Sequence, residues 1–193
     1  MDTIFYKIVK PIVKVLFYIF YRPTVVGREN IPNTKAYVLA GNHTKWLDPV
    51  MLISISKRQV HFLAKKELFS GMTNLIVKRM GCISVDRKKH DKNVLRNACG
   101  CLNNGGVIGI FPEGTINRTG DIIMPFKIGA VKMCYETDSL LVPFVITGQY
   151  KLFRKSIRLE FLEPRKIGKN LDSENKKFMK VISDKLEEIN ERN

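Results

Sequence analysis

The sequence predicts an α/β fold: a single domain in which a mixed, mostly parallel sheet is flanked by helices and preceded by an N-terminal amphipathic helix. The chain of 193 residues is long enough for one sizeable core. Short runs rich in β-branched and aromatic residues alternate with stretches of helical spacing, as in layered α/β proteins. Most of these runs are continuously apolar, which is typical of strands covered on both faces. We therefore divide the chain into a helix, residues 1–22, and one domain, residues 23–193.

Each element of the domain follows from its local pattern. Apolar runs bounded by turn residues predict six strands, at residues 36–40, 59–64, 82–86, 106–111, 140–147 and 156–163. Helical spacing predicts five helices between and after them, at residues 49–56, 66–80, 90–103, 127–137 and 172–193. In parallel sheets the loops that leave the carboxyl ends of strands meet at one edge. We therefore expect the polar loops after the first, third and fourth of these strands to lie close together.

The first 22 residues, MDTIFYKIVKPIVKVLFYIFYR, form the most apolar segment. They lack the basic start and small-residue cleavage site of a signal peptide, and lysines interrupt the roughly 20 apolar residues that a spanning helix needs. On a helix, Lys7, Lys10 and Lys14 share one narrow stripe opposite a broad apolar and aromatic face. This pattern predicts a helix that lies on an anionic membrane surface. The alternative is a helix packed on the domain's own core.

The composition is strongly basic. Lysine and arginine number 33 against 18 acidic residues, a net charge of +15, which attracts polyanions such as nucleic acid or anionic lipid. Charge alone does not separate the two, but the aromatic N-terminal segment favours lipid, so we predict a membrane partner and no nucleic acid. The four cysteines form no C-x-x-C pair and lie near no histidine at zinc-ligand spacing. We therefore predict no metal site.

The stretch GNHTKWLDP contains a candidate catalytic pair, His43 and Asp48. A Gly-Asn turn precedes the histidine, and Asp48-Pro49 resembles a helix N-cap followed by proline, so the loop is expected to bend and bring the pair together. An aspartate that holds one ring nitrogen leaves the other free to accept a proton from a hydroxyl. No G-x-S-x-G, P-loop or G-x-G-x-x-G motif is present, so the attacking hydroxyl would belong to the substrate. A plain helix cap beside an inert histidine remains the alternative.

Four blocks, NHTKWLD, GCISVDR, FPEGT and VPFVI, occur in this order within residues 42–146. Together they resemble the glycerolipid acyltransferase family, typified by the 1-acyl-glycerol-3-phosphate (lysophosphatidic acid) acyltransferases. The resemblance implies that His43, oriented by Asp48, deprotonates the free glycerol hydroxyl of a lysophospholipid while that hydroxyl attacks a fatty acyl thioester. It also implies that Arg87, at the end of the second block, binds the substrate phosphate through its planar donor fork.

The third block implies further contacts with the substrate. Glu113 is expected to hold a glycerol oxygen or to fix neighbouring basic groups. The amides of Gly114 and Thr115 are expected to form a small anion-binding nest, because glycine can adopt positive φ; an ordinary β-turn is the alternative.

One position departs from the family pattern. Members commonly carry an arginine after the threonine of the third block, and this chain has Ile116 there. Arg118 or Lys127 would then replace the lost charge, or the head group that the protein accepts would differ.

The resemblance therefore implies a membrane-surface acyltransferase of phospholipid biosynthesis, which acylates the sn-2 hydroxyl of lysophosphatidic acid to give phosphatidic acid. Its expected location is the cell membrane, peripheral or monotopic on the cytoplasmic face. The acyl donor would be a thioester of acyl carrier protein or coenzyme A, used as a cosubstrate, with no bound cofactor. An acyltransferase for glycerol-3-phosphate, an ornithine lipid or another lysolipid is the nearest alternative. A non-catalytic basic module that binds membrane or nucleic acid is the alternative from another class.

Overall fold

A computed structural model describes residues 4–86 and 92–192. Within these ranges the strands are β1 Thr24–Val26, β2 Tyr37–Gly41, β3 Val60–Lys65, β4 Ile83–Val85, β5 Val107–Ile110, β6 Leu140–Gly148 and β7 Ile157–Phe161. The α-helices are α1 Ile4–Tyr21, α2 Asp48–Ile55, α3 Gly71–Arg79, α4 Lys92–Asn103, α5 Gly129–Thr137 and α6 Leu171–Glu191. Two short 3-10 helices cover Arg28–Asn30 and Lys66–Phe69.

The described strands form one sheet in the order β1-β7-β6-β2-β5-β3-β4. The five strands from β6 to β4 are mutually parallel, β7 is antiparallel to β6, and β1 is parallel to β7. The prediction of a mixed, mostly parallel sheet is thereby confirmed. Because β2 to β6 run the same way, the loops that leave their carboxyl ends share one edge of the sheet.

Two details differ from the sequence prediction. The strand β1 was not predicted, because three residues are too few to show a period, and it forms only by pairing with β7. The helix predicted at residues 66–80 is interrupted: a 3-10 turn ends at Phe69, and α3 begins at Gly71. Gly71 has φ of 62°, a left-handed backbone that a continuous right-handed helix cannot contain.

Helices cover both faces of the sheet, and the side chains of β2 pack alternately against the helices of one face and of the other. Tyr37 and Leu39 belong to a core cluster with α1 and α2, whereas Val38 and Ala40 belong to a second cluster with α4, α5 and α6. All four side chains are fully buried. Since successive side chains of a strand point to opposite faces, an apolar residue at every position is what a doubly covered strand requires.

The helix α1 has two apolar sides. On one side Tyr6 and Phe17 are buried against the domain. On another, five large side chains at helical spacing are between 47% and 79% exposed: Ile4, Ile8, Ile12, Leu16 and Ile19. We call these five residues the α1 stripe.

Packing on the core therefore accounts for only part of α1. Lys7 and Lys14 are exposed, while Lys10 donates from Nζ to the carbonyl oxygen of Lys57 at 2.7 Å. None of the helices in the described part of the chain combines the length and apolar character needed to cross a bilayer. The position of this helix on a membrane surface remains a prediction.

Gly41, the last residue of β2, has no room for a side chain. A Cβ there would lie 2.1 Å from the carbonyl oxygen of Phe144 and 2.5 Å from its ring. Because backbone cannot yield as a flexible side chain does, Gly41→Ala is expected to lower the free energy of unfolding by about 1–3 kcal/mol or more. Urea unfolding measures this change. Gly100→Ala is the control, since a Cβ at Gly100 in α4 meets no atom within 4 Å apart from the adjoining residues and backbone of its own helix. An unchanged midpoint for the Gly41 variant would contradict the expectation.

Candidate active site

The loop between β2 and α2 brings His43 and Asp48 into contact. The Nδ1 atom of His43 lies 2.8 Å from Oδ2 of Asp48, and the two side chains are 15% and 0% exposed. Residues 42–47 are not helical, so the bent path predicted from the Gly-Asn turn is what the structure contains. The buried Asn42 fixes the start of this loop, since its side chain donates to the carbonyl oxygen and accepts from the amide of Ile146 on β6.

The predicted capping role of Asp48 needs correction. Asp48 is the first residue of α2, after Leu47 at the cap position, and its carboxylate turns back into the loop. Its Oδ2 accepts the amides of Thr44 and Lys45 at 2.6 and 2.8 Å, and Oδ1 accepts the Thr44 hydroxyl at 3.1 Å. These donors offset the burial of a charged group and fix the plane of the carboxylate that holds His43.

Tyr150, which sequence reasoning missed, completes the surroundings of Asp48. It lies in the loop after β6, and its hydroxyl donates to Oδ1 of Asp48 at 2.6 Å. Burial raises the pKa of Tyr150 far above its ordinary value, and the negative charge of Asp48 raises it further. The phenol is therefore a permanent donor at neutral pH. Its ring also packs edge-on against Phe17 and Tyr21 of α1, with centroids 6.2 and 5.5 Å apart.

The imidazole of His43 is held in place from a second direction. It stacks on the ring of Phe111, at the end of β5, with centroids 4.0 Å apart and planes 16° from parallel. Its Nδ1 faces Asp48, whereas Nε2 has no hydrogen bond to any described residue. A ring fixed in this way can accept a proton at Nε2 while the carboxylate stabilises the imidazolium that results.

His43 lines a cavity of about 740 Å³ at the carboxyl edge of the sheet, within the size range of small-molecule sites. Most of its wall is aliphatic or aromatic and comes from β3, α3 and β5, including Phe62, Leu63, Ile76, Val77 and Ile110. Two cations predicted to bind substrate, Arg118 and Lys127, line the same cavity. The structure thus places a candidate base, an apolar chamber and positive charge together.

Cys82 also lines this cavity, so a protein nucleophile has to be considered. Burial raises the pKa of its thiol to about 11. At neutral pH the group is therefore the neutral thiol, which is a poor nucleophile. This favours attack by a hydroxyl of the substrate, as the sequence predicted.

Glu113 of the FPEGT block supports the loop of His43. Its side chain is buried, with Oε1 accepting the amide of His43 at 2.7 Å and Oε2 accepting the amide of Met124 at 2.9 Å. Desolvation raises the pKa of Glu113 above its ordinary value, although the hydrogen bonds from the two backbone amides act to lower the pKa. The observed contacts fix the backbone at His43, and the glycerol contact stays a prediction.

The predicted nest of two amides is wrong for Gly114. Its amide donates to the carbonyl oxygen of Phe111 at 2.9 Å, closing the β-turn that was the alternative reading. Gly114 has φ of 76°, as expected, and a Cβ there would lie 2.8 Å from Nζ of Lys127. The absence of a side chain at Gly114 therefore leaves room for the side chain of Lys127 beside the turn. Thr115, the next residue, lines the cavity.

The remaining predicted site residues fall into two groups. Arg118 and Ile116 line the cavity with His43, so the position that departs from the family pattern is itself part of the wall. Arg87 lies outside the described residues, and its role as a phosphate ligand stays a prediction.

Two of the three polar loops expected at this edge do meet, since the amide of Asn117 donates to the carbonyl oxygen of His43 at 2.9 Å.

Comparison with known proteins defines the class to which this fold and site correspond. The model of the acyltransferase family matches residues 22–147. The chain therefore belongs to the acyltransferase family.

Among its relatives is the 1-acyl-sn-glycerol-3-phosphate acyltransferase of Bacillus subtilis, 32% identical over 155 residues, which cover 78% of this chain and 76% of the relative. The enzyme of the same name from Borreliella burgdorferi is 33% identical over 141 residues, 69% of this chain and 54% of that protein. The chain thus spans about half the length of this second relative. The crystal structure of the 1-acyl-sn-glycerophosphate (LPA) acyltransferase PlsC from Thermotoga maritima has the same fold, with a TM-score of 0.77 and 23% identity over 96% of this chain and 79% of that one.

Proposed function

We propose that the protein transfers a fatty acyl group from a thioester to the sn-2 hydroxyl of lysophosphatidic acid and so forms phosphatidic acid for phospholipid biosynthesis. The observation that carries the proposal is the His43–Asp48 pair at the wall of an apolar cavity that also contains Arg118 and Lys127. The names of the relatives support the same substrate. An apolar chamber beside positive charge matches a lipid with a phosphate head group.

The geometry supports a direct transfer. Asp48 holds the proton on Nδ1 of His43, so Nε2 takes the proton of the sn-2 hydroxyl while the hydroxyl oxygen attacks the thioester carbonyl. The tetrahedral intermediate then collapses, the carbon–sulfur bond breaks, and the proton on Nε2 passes to the departing thiolate. The ester and the free thiol are the products, and the histidine returns to its neutral form. No acyl-enzyme is formed.

The apolar and the cationic residues of the cavity wall would bind different parts of the substrate. The apolar side chains from β3, α3 and β5 would hold an acyl chain. Arg118 and Lys127, with Arg87 as a further predicted ligand, would hold the phosphate through charge-assisted hydrogen bonds. The acyl donor would be acyl carrier protein or coenzyme A thioester, with no metal and no bound cofactor.

The location that we propose is the cytoplasmic face of the cell membrane. The α1 stripe presents five large apolar side chains to solvent, and Lys7 and Lys14 lie exposed on the same helix. Such a helix can bury its apolar face at headgroup depth while its lysines meet lipid phosphates.

The experiment that tests the function is an incubation of the purified protein with labelled acyl thioesters and a panel of acceptors. We expect phosphatidic acid from lysophosphatidic acid, and little product from lysophosphatidylcholine or glycerol-3-phosphate. A different preferred acceptor would overturn the substrate but keep the reaction class. If no acceptor is acylated by either the carrier-protein or the coenzyme A thioester, a non-catalytic membrane-binding module becomes the better reading.

Lys127→Gln is expected to raise the KM for lysophosphatidic acid by about 10–100-fold, because a charged hydrogen bond to the phosphate contributes roughly 1.5–3 kcal/mol. Steady-state kinetics with increasing lysolipid measure this change. Lys176→Gln on α6 is the matched control, since that exposed lysine does not line the cavity. An unchanged KM for the Lys127 variant would remove this residue from the phosphate site.

Tyr150→Phe is expected to lower kcat by about 10-fold with little change in KM. The variant keeps the aromatic packing on α1 but removes the hydrogen bond to Asp48, so the carboxylate is less firmly oriented toward His43. Kinetics at several pH values check this, together with thermal unfolding to confirm the fold. A variant with wild-type kcat would show that the amides of Thr44 and Lys45 suffice to orient Asp48.

A further inference from the structure

The hairpin loop between β6 and β7, residues 149–156, places two large apolar side chains in solvent. Leu152 is 57% exposed and Phe153 is 56% exposed. The base of the loop is closed by hydrogen bonds between Gln149 and Ser156, and its tip by one from the amide of Arg154 to the carbonyl oxygen of Lys151. The two apolar side chains are thus presented by a loop with its own internal hydrogen bonds.

Cations flank these two side chains in the sequence of the loop. Lys151, Arg154 and Lys155 are all exposed, and none forms an ion pair with any residue that the structure describes. A tip of apolar residues between unpaired cations is complementary to an anionic bilayer, where the apolar groups enter the headgroup layer and the cations meet phosphates. The backbone at Phe153 has φ of 59°, which is uncommon for a bulky residue and would suit glycine better.

The loop continues the exposed surface of α1. The ring of Phe153 contacts that of Phe20, with centroids 5.5 Å apart, and Phe20 is itself 37% exposed. Ile19, the last residue of the α1 stripe, precedes Phe20. The loop also begins beside the site, since Tyr150 binds Asp48. The exposed apolar surface therefore extends from α1 to the edge of the sheet at which His43 lies.

We propose that Leu152 and Phe153, with Lys151, Arg154 and Lys155, form a second membrane-contact element that inserts into an anionic bilayer beside α1. It adds a contact to the membrane association proposed above. The α1 stripe and the loop are mutated separately, and membrane contact is measured for both by vesicle binding, which does not depend on acyl transfer. Failure of one contact therefore leaves the other testable.

The test of the apolar tip is partition of the whole 193-residue chain onto vesicles of phosphatidylcholine mixed with phosphatidylglycerol. Leu152→Ser with Phe153→Ser is expected to weaken partition by about 10-fold or more, since two large side chains lose their burial in lipid. Tyr135→Ser is the control, because Tyr135 is an exposed aromatic residue on α5, which packs on the opposite face of the sheet from α1. Thermal unfolding checks that the loop variant is folded.

The test of the cations uses the same assay. Arg154→Gln with Lys155→Gln is expected to weaken binding to the anionic vesicles by about 10-fold and to leave binding to pure phosphatidylcholine unchanged. Lys169→Gln with Lys176→Gln, two exposed lysines just before and within α6, is the charge-matched control.

Insertion itself can be observed with a tryptophan at the tip. Leu152→Trp in a Trp46→Phe background contains a single tryptophan, because Trp46 is the chain's only one. Quenching by brominated lipid is expected for this variant. Unquenched emission, or unchanged partition of both loop variants when Ile12→Ser with Leu16→Ser abolishes binding, would overturn the proposal. Loss of transfer from the acyl carrier protein alone, with normal vesicle binding, would also overturn it and would assign the surface to an acidic protein.

Discussion

Replacing His43 by alanine is expected to lower kcat for acyl transfer by a factor of about 10²–10⁴, the usual contribution of a positioned general base. The alanine variant retains the cavity, the cations and the α1 stripe, so lysolipid binding and vesicle partition should be unchanged. The loss is expected because no other described group with a free basic atom is held beside the cavity in the way that Nε2 is. Rates with saturating substrates, compared with vesicle binding, separate chemistry from attachment.

The control for this prediction is His61→Ala. His61 lies on β3, and its Nδ1 is 2.7 Å from the carbonyl oxygen of Gly81, so its role is structural. We expect that variant to lose some stability and to keep most of its specific activity. Full activity of the His43 variant would end the catalytic assignment and favour a non-catalytic binding module.

Replacing Asp48 by asparagine is expected to lower kcat by about 10²–10⁴, because the amide cannot stabilise an imidazolium and no longer holds the proton on Nδ1. The free energy of unfolding should also fall by about 1–3 kcal/mol, since the new NH₂ group would face some of the donors that the carboxylate now accepts.

The two effects on Asp48 can be separated by measurement. Kinetics give the change in kcat, and urea unfolding gives the change in stability under the same conditions. Asp48 is fully buried and is not among the residues that line the cavity, so KM should change little. If stability falls while kcat is retained, Asp48 holds only the loop, and the histidine acts without a carboxylate partner.

Local signals in the sequence were sufficient for the central pair. The Gly-Asn turn and the Asp-Pro helix start lie within one loop, so the contact of His43 with Asp48 could be predicted from residues five apart. The sheet was predictable for a similar reason, because doubly buried strands such as β2 are apolar at every position.

Contacts between distant segments could not be read in this way. Tyr150 reaches Asp48 across 102 positions and Glu113 reaches the amide of His43 across 70, so both depend on the order of strands in the sheet. Nothing in the residues around Tyr150 marks it as a partner of the loop. The sequence FPEGT is also compatible with several backbone conformations. It therefore did not show that the amide of Gly114 would donate within a β-turn.

The contact of Tyr150 with Phe17 and Tyr21 has a consequence for experiments on shortened chains. These two residues belong to the helix that we propose attaches the protein to lipid. Their rings also pack on the ring of Tyr150, whose hydroxyl binds Asp48. Deleting the helix to obtain a freely diffusing enzyme would expose Tyr150 to water and remove its packing. An inactive truncation would therefore not prove that the reaction requires a bilayer, whereas point substitutions on the outward side of the helix would answer that question cleanly.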